Sequence, residues 1–232
     1  MIYFTPDAWL SDLFNKPVYS IDGNLLGLKK NDFPKESVFI QAKVLTEDAE
    51  TLIHLQSFGF SVIDCNISLE LAKDGFPSLI FDRELIRFSQ KGDEGEVRRL
   101  AGNIFSQNRF HRDPKISNNL ASRIKEEWAS NYFHNKRGDW MVIFKDEYGI
   151  GGFLQLIKSS EDIIDIDLIA VSKRLQRRGI ARSMISFALK NCSAKSVVVR
   201  VGTQLSNPAS IALYQNLGFK INSAAYQLHF HK

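Results

Sequence analysis

Gln176-Arg177-Arg178-Gly179-Ile180-Ala181 follows an apolar run ending Leu168-Ile169-Ala170-Val171. It precedes a segment that carries Met184, Ile185, Phe187, Ala188 and Leu189 at helical spacing. A strand end, a glycine-marked loop and a helix start bring several backbone N–H groups onto one anion, and the helix dipole adds to the attraction. Lys173, Arg174, Arg177, Arg178 and Arg182 crowd the same place. The chemistry these residues suit is the binding of a pyrophosphate. A second polar stretch, Gln107 to Pro114, contains Arg109, His111 and Arg112, the composition of a substrate-contacting loop.

These groups need a frame. Ser196 to Val201 reads as a strand, with Val197, Val198 and Val199 in a row. Asn207 is a good N-cap with Pro208 at the first helical position, and Gly218 marks the end of the helix they start. Earlier, a short helix or turn from Trp9 leads into a strand at 18–21, and Val38 to Leu45 is a second strand. Glu47 to Phe58 has the spacing of an amphipathic helix, and Phe60 to Leu71 is a strand interrupted at Asp64-Cys65-Asn66. Ser78 to Phe88 closes this first region. Helices follow at Asp93–Phe105 and Ile116–Phe133. Trp140–Phe144 and Ile150–Leu156 form a strand pair turning at Asp146 to Gly149, and Asp162–Ile169 continues the meander.

One pattern occurs twice. Thr51 to Phe60 and Ser210 to Phe219 share Gln, Gly and Phe at matched places, with Leu55 standing where Tyr214 does. Each glycine sits where a helix gives way to a strand, a position that favours positive φ. The first copy has no phosphate loop before it, so we read it as a degenerate half that keeps the packing without a cofactor site.

Composition narrows the classes. The chain has 232 residues, 44% of them hydrophobic, enough for a substantial core. Its apolar runs fall short of a membrane span, and the start Met1-Ile-Tyr-Phe-Thr-Pro lacks the pattern of a signal peptide, so the expected location is the cytoplasm. Cys65 and Cys192 have no metal or redox spacing, and no metal is expected. The net charge of +4 is scattered apart from the cluster around Arg177, which argues against nucleic acid as a partner.

The loop Gln176 to Ala181 and the later Asn207, Ser210, Leu213, Tyr214, Gly218 and Phe219 together resemble the two cofactor motifs of the GNAT N-acyltransferase superfamily. The resemblance implies an α/β GNAT fold, with a mixed, mostly antiparallel sheet flanked by helices over 88–232. A smaller α/β domain resembling a partial GNAT half, 1–87, precedes it. Gln41-Ala42-Lys43, Phe58 to Ser61, Phe105 to Phe110, Gly202-Thr203-Gln204 and Ala225-Tyr226 are similar to the branch of dTDP-fucosamine N-acetyltransferases.

That likeness implies direct transfer from acetyl-CoA or another acyl-CoA to the amine of a dTDP-linked amino sugar, by a homodimer and without a metal. Tyr214 would be the acid for the departing thiolate, since a phenol stays protonated at neutral pH, with Tyr226 in reserve. Leu168, Ile169, Ala170 and Val171 would hold the pantetheine with Asn207, and Gln176 to Ala181 the pyrophosphate. Asp64 is the position implied for the base, with His111 and His134 as alternatives. Arg109, Arg112 and Gln204 would bind the sugar nucleotide. Two other readings stay open: a GNAT enzyme acting on a peptide N-terminus, polyamine or aminoglycoside, and a CoA-binding module without catalysis.

Overall fold

The computed structural model describes residues 2–72, 85–106, 108–192 and 198–232, so the stretch from Ser78 is seen only from residue 85, and Gln107, Ser196 and Val197 lie outside it. Among the described residues ten strands form one sheet. They are β1 (Ile2–Pro6), β2 (Val18–Gly23), β3 (Phe39–Leu45), β4 (Ser61–Ala72), β5 (Ile86–Phe88), β6 (Trp140–Asp146), β7 (Gly149–Lys158), β8 (Ile163–Val171), β9 (Val198–Gln204) and β10 (Lys220–His231). Their order is β1-β2-β3-β10-β4-β9-β8-β7-β6-β5, with β2 parallel to β3, β8 parallel to β9, and the other neighbours antiparallel.

The last strand sits in the middle. β10 pairs with β3 on one side and β4 on the other, so the sheet runs unbroken between the two halves of the chain. Both edges of β10 are thereby taken, which leaves β1 and β5 as the edges of the sheet.

Seven α-helices flank the sheet among the described residues: α1 (Ala8–Phe14), α2 (Ala49–Ser57), α3 (Glu94–Ile104), α4 (Arg109–Arg112), α5 (Asn118–Ser130), α6 (Ile180–Cys192) and α7 (Pro208–Asn216). On one face, Phe39 packs with Leu10, Phe110, Ala121 and Ile124 of α1, α4 and α5. Val97 and Ala101 of α3 cover Met141, Ile143 and Phe153. On the other face, Met184, Ile185 and Ala188 of α6 and Tyr214 of α7 pack on Leu69, Val199, Val201 and Ile166. Leu55 of α2 sits over Ile40, Ala42 and Val44.

Two local expectations change. Asp64-Cys65-Asn66 does not interrupt its strand, because Asp64, Cys65 and Asn66 stand in register with Gln227, Tyr226 and Ala225 of β10, and that ladder overrides their weak strand propensity. The polar stretch around Arg109 is not all loop. Asn108 accepts from the Phe110 N–H at 2.9 Å and starts one helical turn, α4, with Phe110 buried beneath it.

Candidate active site

The parallel strands β8 and β9 pair only from Ile163↔Val198 to Ile166↔Val201, although β8 continues to Val171 and β9 to Gln204. The cause of the parting lies on the other side of β8. Its register with β7 steps from Leu156↔Ile166 to Gln155↔Leu168, leaving Asp167 as a bulge. The bulge turns the strand over: Ile166 packs toward α6, whereas Leu168 and Ala170 pack toward α3. Asp167 is fixed by Trp128 Nε1 at 2.9 Å, Arg137 Nε at 2.8 Å and Gln155 Nε2 at 3.0 Å.

Backbone direction past the bulge follows from alternation. The Ser172 N–H donates to Gly151 O of the β7 side at 2.8 Å, so the amides and carbonyls of Val171 and Ile169 point the other way, into the gap. Gln176 Nε2 donates to Val171 O at 3.1 Å and draws the loop across the gap's end. Arg177 has φ +64° and Gly179 φ +77°, a left-handed pair that turns the chain into α6. A Cβ at Gly179 would meet nothing within 4 Å, so the glycine serves the turn and leaves open space in front of the helix. A pyrophosphate-bearing thioester fits these features: exposed loop amides, a helix of 13 residues and a strand gap for an extended arm. Arg174 of the basic cluster is already paired, since both its terminal nitrogens lie 2.7 Å from Asp146 oxygens.

Tyr214 lies in the core below the gap, 2% exposed and with its ring 5.4 Å from that of Phe219. Burial pushes its phenol above the ordinary value, which keeps it protonated. Asn207 caps α7 by accepting from the Ser210 N–H at 3.1 Å.

Asp64 lies on the opposite face from Tyr214. Lys43, Gln227 and Asp64 stand in one row across β3, β10 and β4. Asp64 is 6% exposed; its Oδ1 accepts from the Cys65 N–H at 2.9 Å and its Oδ2 has no partner. Burial raises its pKa, against the lowering effect of that hydrogen bond and of Arg112 and Arg109. Arg109 Nη1 donates to Gln227 Oε1 at 3.0 Å while its Nε has no partner, and burial pulls its guanidinium down to about 10.

Residues 105–219 match the Acetyltransferase (GNAT) family. This part of the chain is a GNAT acetyltransferase domain. The "Spore coat polysaccharide biosynthesis protein SpsD" of Bacillus subtilis (strain 168) is 26% identical over 247 aligned residues, spanning 99% of this chain and 83% of that protein. The "dTDP-fucosamine acetyltransferase" of Escherichia coli O6:H1 is 27% identical over 192 residues, spanning 82% of this chain and 80% of that one. Among solved structures, a tandem GNAT protein from the clavulanic acid biosynthesis pathway superposes with a TM-score of 0.61 at 10% identity, over 92% of this chain and 75% of its own. The protein is an acyl-CoA-dependent N-acyltransferase, and its co-substrate is acetyl-CoA or another acyl-CoA.

Not all expected residues of the GNAT enzyme gather at one point. Leu168 to Val171 and Gln176 to Ala181 surround the gap, and Gln204 ends β9 in register with Asn66. Tyr226 packs partly buried against the cluster around α2, in the other half of the sheet. Arg112 is exposed. Both histidines are hydrogen-bonded: His111 Nδ1 lies 2.8 Å from Asn108 Nδ2 and its Nε2 3.2 Å from Ser122 Oγ, and exposed His134 pairs with Glu94 at 3.0 Å.

Other groups emerge only from the fold. Lys125, pulled down to about 7 by burial and then by Arg109, lies 4.2 Å from the Trp128 ring centre. Asp113, His229 and His231 converge within 4.8 Å and are the described residues best able to hold a metal ion. Here one Asp113 oxygen takes both imidazoles at 2.7 Å, tying the end of α4 to β10. Burial works to raise Asp113, but those two hydrogen bonds hold it well below the usual carboxylate range. The alternating polar residues Gln227, His229 and His231 were the one signal in the sequence that the last strand has a polar face.

Proposed function

We propose that the enzyme moves an acetyl or short hydroxyacyl group from acyl-CoA to the amine of a dTDP-amino-deoxysugar for cell-surface polysaccharide synthesis. The observation that carries this reading is the buried Asp64 carboxylate, one oxygen of it without a partner, facing Arg109 and Gln227 across the sheet from Tyr214. Support also comes from the two relatives, one named for polysaccharide biosynthesis and one for dTDP-fucosamine.

The acyl-CoA supplies an activated carbonyl. Asp64, held above the usual carboxylate value, takes a proton from the acceptor ammonium directly or through water. Backbone of Ile169 and Val171 orients the thioester arm, and Tyr214 gives its proton to the leaving thiolate, with Tyr226 as the reserve acid. Asn207 supports the arm. Arg109 and the exposed Arg112 hold the anionic part of the acceptor, with Gln204 beside β4. The first half, 1–87, serves as the degenerate partner of the catalytic domain, 88–232. The reading carries a cytoplasmic homodimer.

A cationic acceptor such as a polyamine is the second reading, favoured by Asp7, Asp22 and Asp48 in the cavity beside β3. Thiol release from acetyl-CoA and 3-hydroxybutanoyl-CoA, against a panel of dTDP- and UDP-amino sugars and polyamines, separates the two. Turnover with a sugar nucleotide is the expected outcome; turnover with polyamines alone overturns the proposal.

A further inference from the structure

The parting of β8 and β9 has a counterpart in the first half. β2 and β3 are parallel and pair over the same span of four positions, Val18↔Phe39 to Ile21↔Ala42, then separate while β2 runs on to Gly23 and β3 to Leu45. At the separation lies a cavity of about 560 Å³ lined by Gln41, Lys43, Arg109, Asp7, Asp22 and Asp48, among others. Gln41 is 8% exposed and its Oε1 has no partner; Arg109 Nε, in the same lining, has none either, and neither has Asp64 Oδ2 on β4, beyond β10 and outside the lining. Buried polar atoms left unpaired are destabilising, and a ligand that completes their bonds removes that cost.

Two cations, Lys43 and Arg109, act on each other in this cavity, and Asp7 and Asp64 are the carboxylates that act on Arg109. Lys43, at the rim, is pulled below the ordinary lysine value first by desolvation and then by the Arg109 charge, a repulsion that an anion between them would relieve. The carboxylates of Asp22 and Asp48 stand at the end of β2 and at the cap of α2. They repel a phosphate there and accept from neutral O–H and N–H donors. From β9 to β3 is three strand spacings, about 14 Å, the reach of an extended sugar nucleotide.

We propose that the parted strands β2 and β3 hold the nucleoside diphosphate end of the acceptor. The diphosphate lies between Lys43 and Arg109, the nucleoside's donors face Gln41 and Asp22, and the amino sugar reaches back toward Asp64. This rests on the sugar-nucleotide reading of the enzyme. The degenerate half then has a function of its own, because the same strand separation that takes acyl-CoA in one half takes the acceptor in the other.

Calorimetric titration of the full chain with dTDP, and with CoA as a control, tests the assignment in wild type, Gln41→Ala and Lys43→Met. The expected result is dTDP binding that weakens tenfold or more in each variant, with CoA affinity unchanged, which also shows that the variants are folded. Equal dTDP affinity in all three proteins overturns it, as does spermidine displacing dTDP from the wild type. Turnover of a dTDP-amino sugar with KM unchanged in both variants removes this pocket while leaving the function standing. If no nucleotide sugar turns over and a polyamine does, the functional reading itself fails and this proposal with it.

Discussion

The two ends of the central sheet are built on one plan. In the first half Asp48 caps α2 through the Thr51 N–H at 3.0 Å; in the second Asn207 caps α7 through the Ser210 N–H at 3.1 Å. Both helices have nine residues, and each is followed by a glycine in the left-handed region, Gly59 at φ +96° and Gly218 at φ +92°. In the order β3-β10-β4-β9, exchanging β3 with β9 and β10 with β4 maps one half onto the other. The differences lie at single positions. Leu55, wholly buried, occupies the place of Tyr214, and only two short 3-10 turns stand between β2 and β3, where β8 is followed by the loop Gln176 to Ala181 and by α6. Packing has been kept in both copies; Tyr214 and the loop Gln176 to Ala181 belong to one.

That asymmetry can be broken most strongly at Tyr214. Tyr214→Phe keeps the ring in the core and removes the proton, so kcat falls about a hundred- to ten-thousand-fold with little change in melting temperature. Steady-state rates beside thermal denaturation check it, and an undiminished kcat would shift the acid role to Tyr226 or water.

Asp64→Asn comes next, with a loss of about a hundredfold or more in kcat/KM. Because Asp64 titrates above an ordinary carboxylate, the wild-type rate falls as pH drops through that raised value, and this acid limb disappears in the variant. Stability moves oppositely. A raised folded-state pKa gives a contribution present below the unfolded value and lost as pH rises through the folded one, so the ionised, buried Asp64 burdens the fold at pH 7. Melting curves should show the Asn variant more stable at pH 7, with the advantage shrinking toward pH 4.

At Leu55, which stands where the second half has Tyr214, the effects are on folding alone. Leu55→Ala costs about 2–5 kcal/mol by chemical denaturation, through the cavity left against Ile40, Ala42 and Val44. The turnover per folded molecule stays the same. The smallest effects come from Gly59→Ala and Gly218→Ala. Each forces an L-residue into positive φ, at about 1–2 kcal/mol, and the two losses should be alike if the halves share one backbone.

Much of this comparison could be read in advance. The repeated Gln, Gly and Phe gave away the paired helices, and Gly179 gave the left-handed turn into α6, because positive φ, caps and helical spacing are local requirements written in local residues. Asp64-Cys65-Asn66 misled for the same reason: its local propensity speaks for a break, and only the ladder with Gln227, Tyr226 and Ala225 makes it strand. The polar lining at Gln41 and Lys43 went unrecognised as a site, since its partner Arg109 comes from a segment far along the chain.

Apart from β1, β5 and the single turn α4, the sequence by itself determined the order of strands and helices, the glycine-marked turn at Gly179 and the family to which its motifs are similar. Each depends on neighbours within a few residues. Tertiary structure alone decided that β10 inserts between β3 and β4, that Asp167 bulges and parts β8 from β9, and that Asp64 is buried with one oxygen unpaired. Such features arise from pairing between distant strands and from loss of water, and neither is encoded in the spacing of adjacent residues.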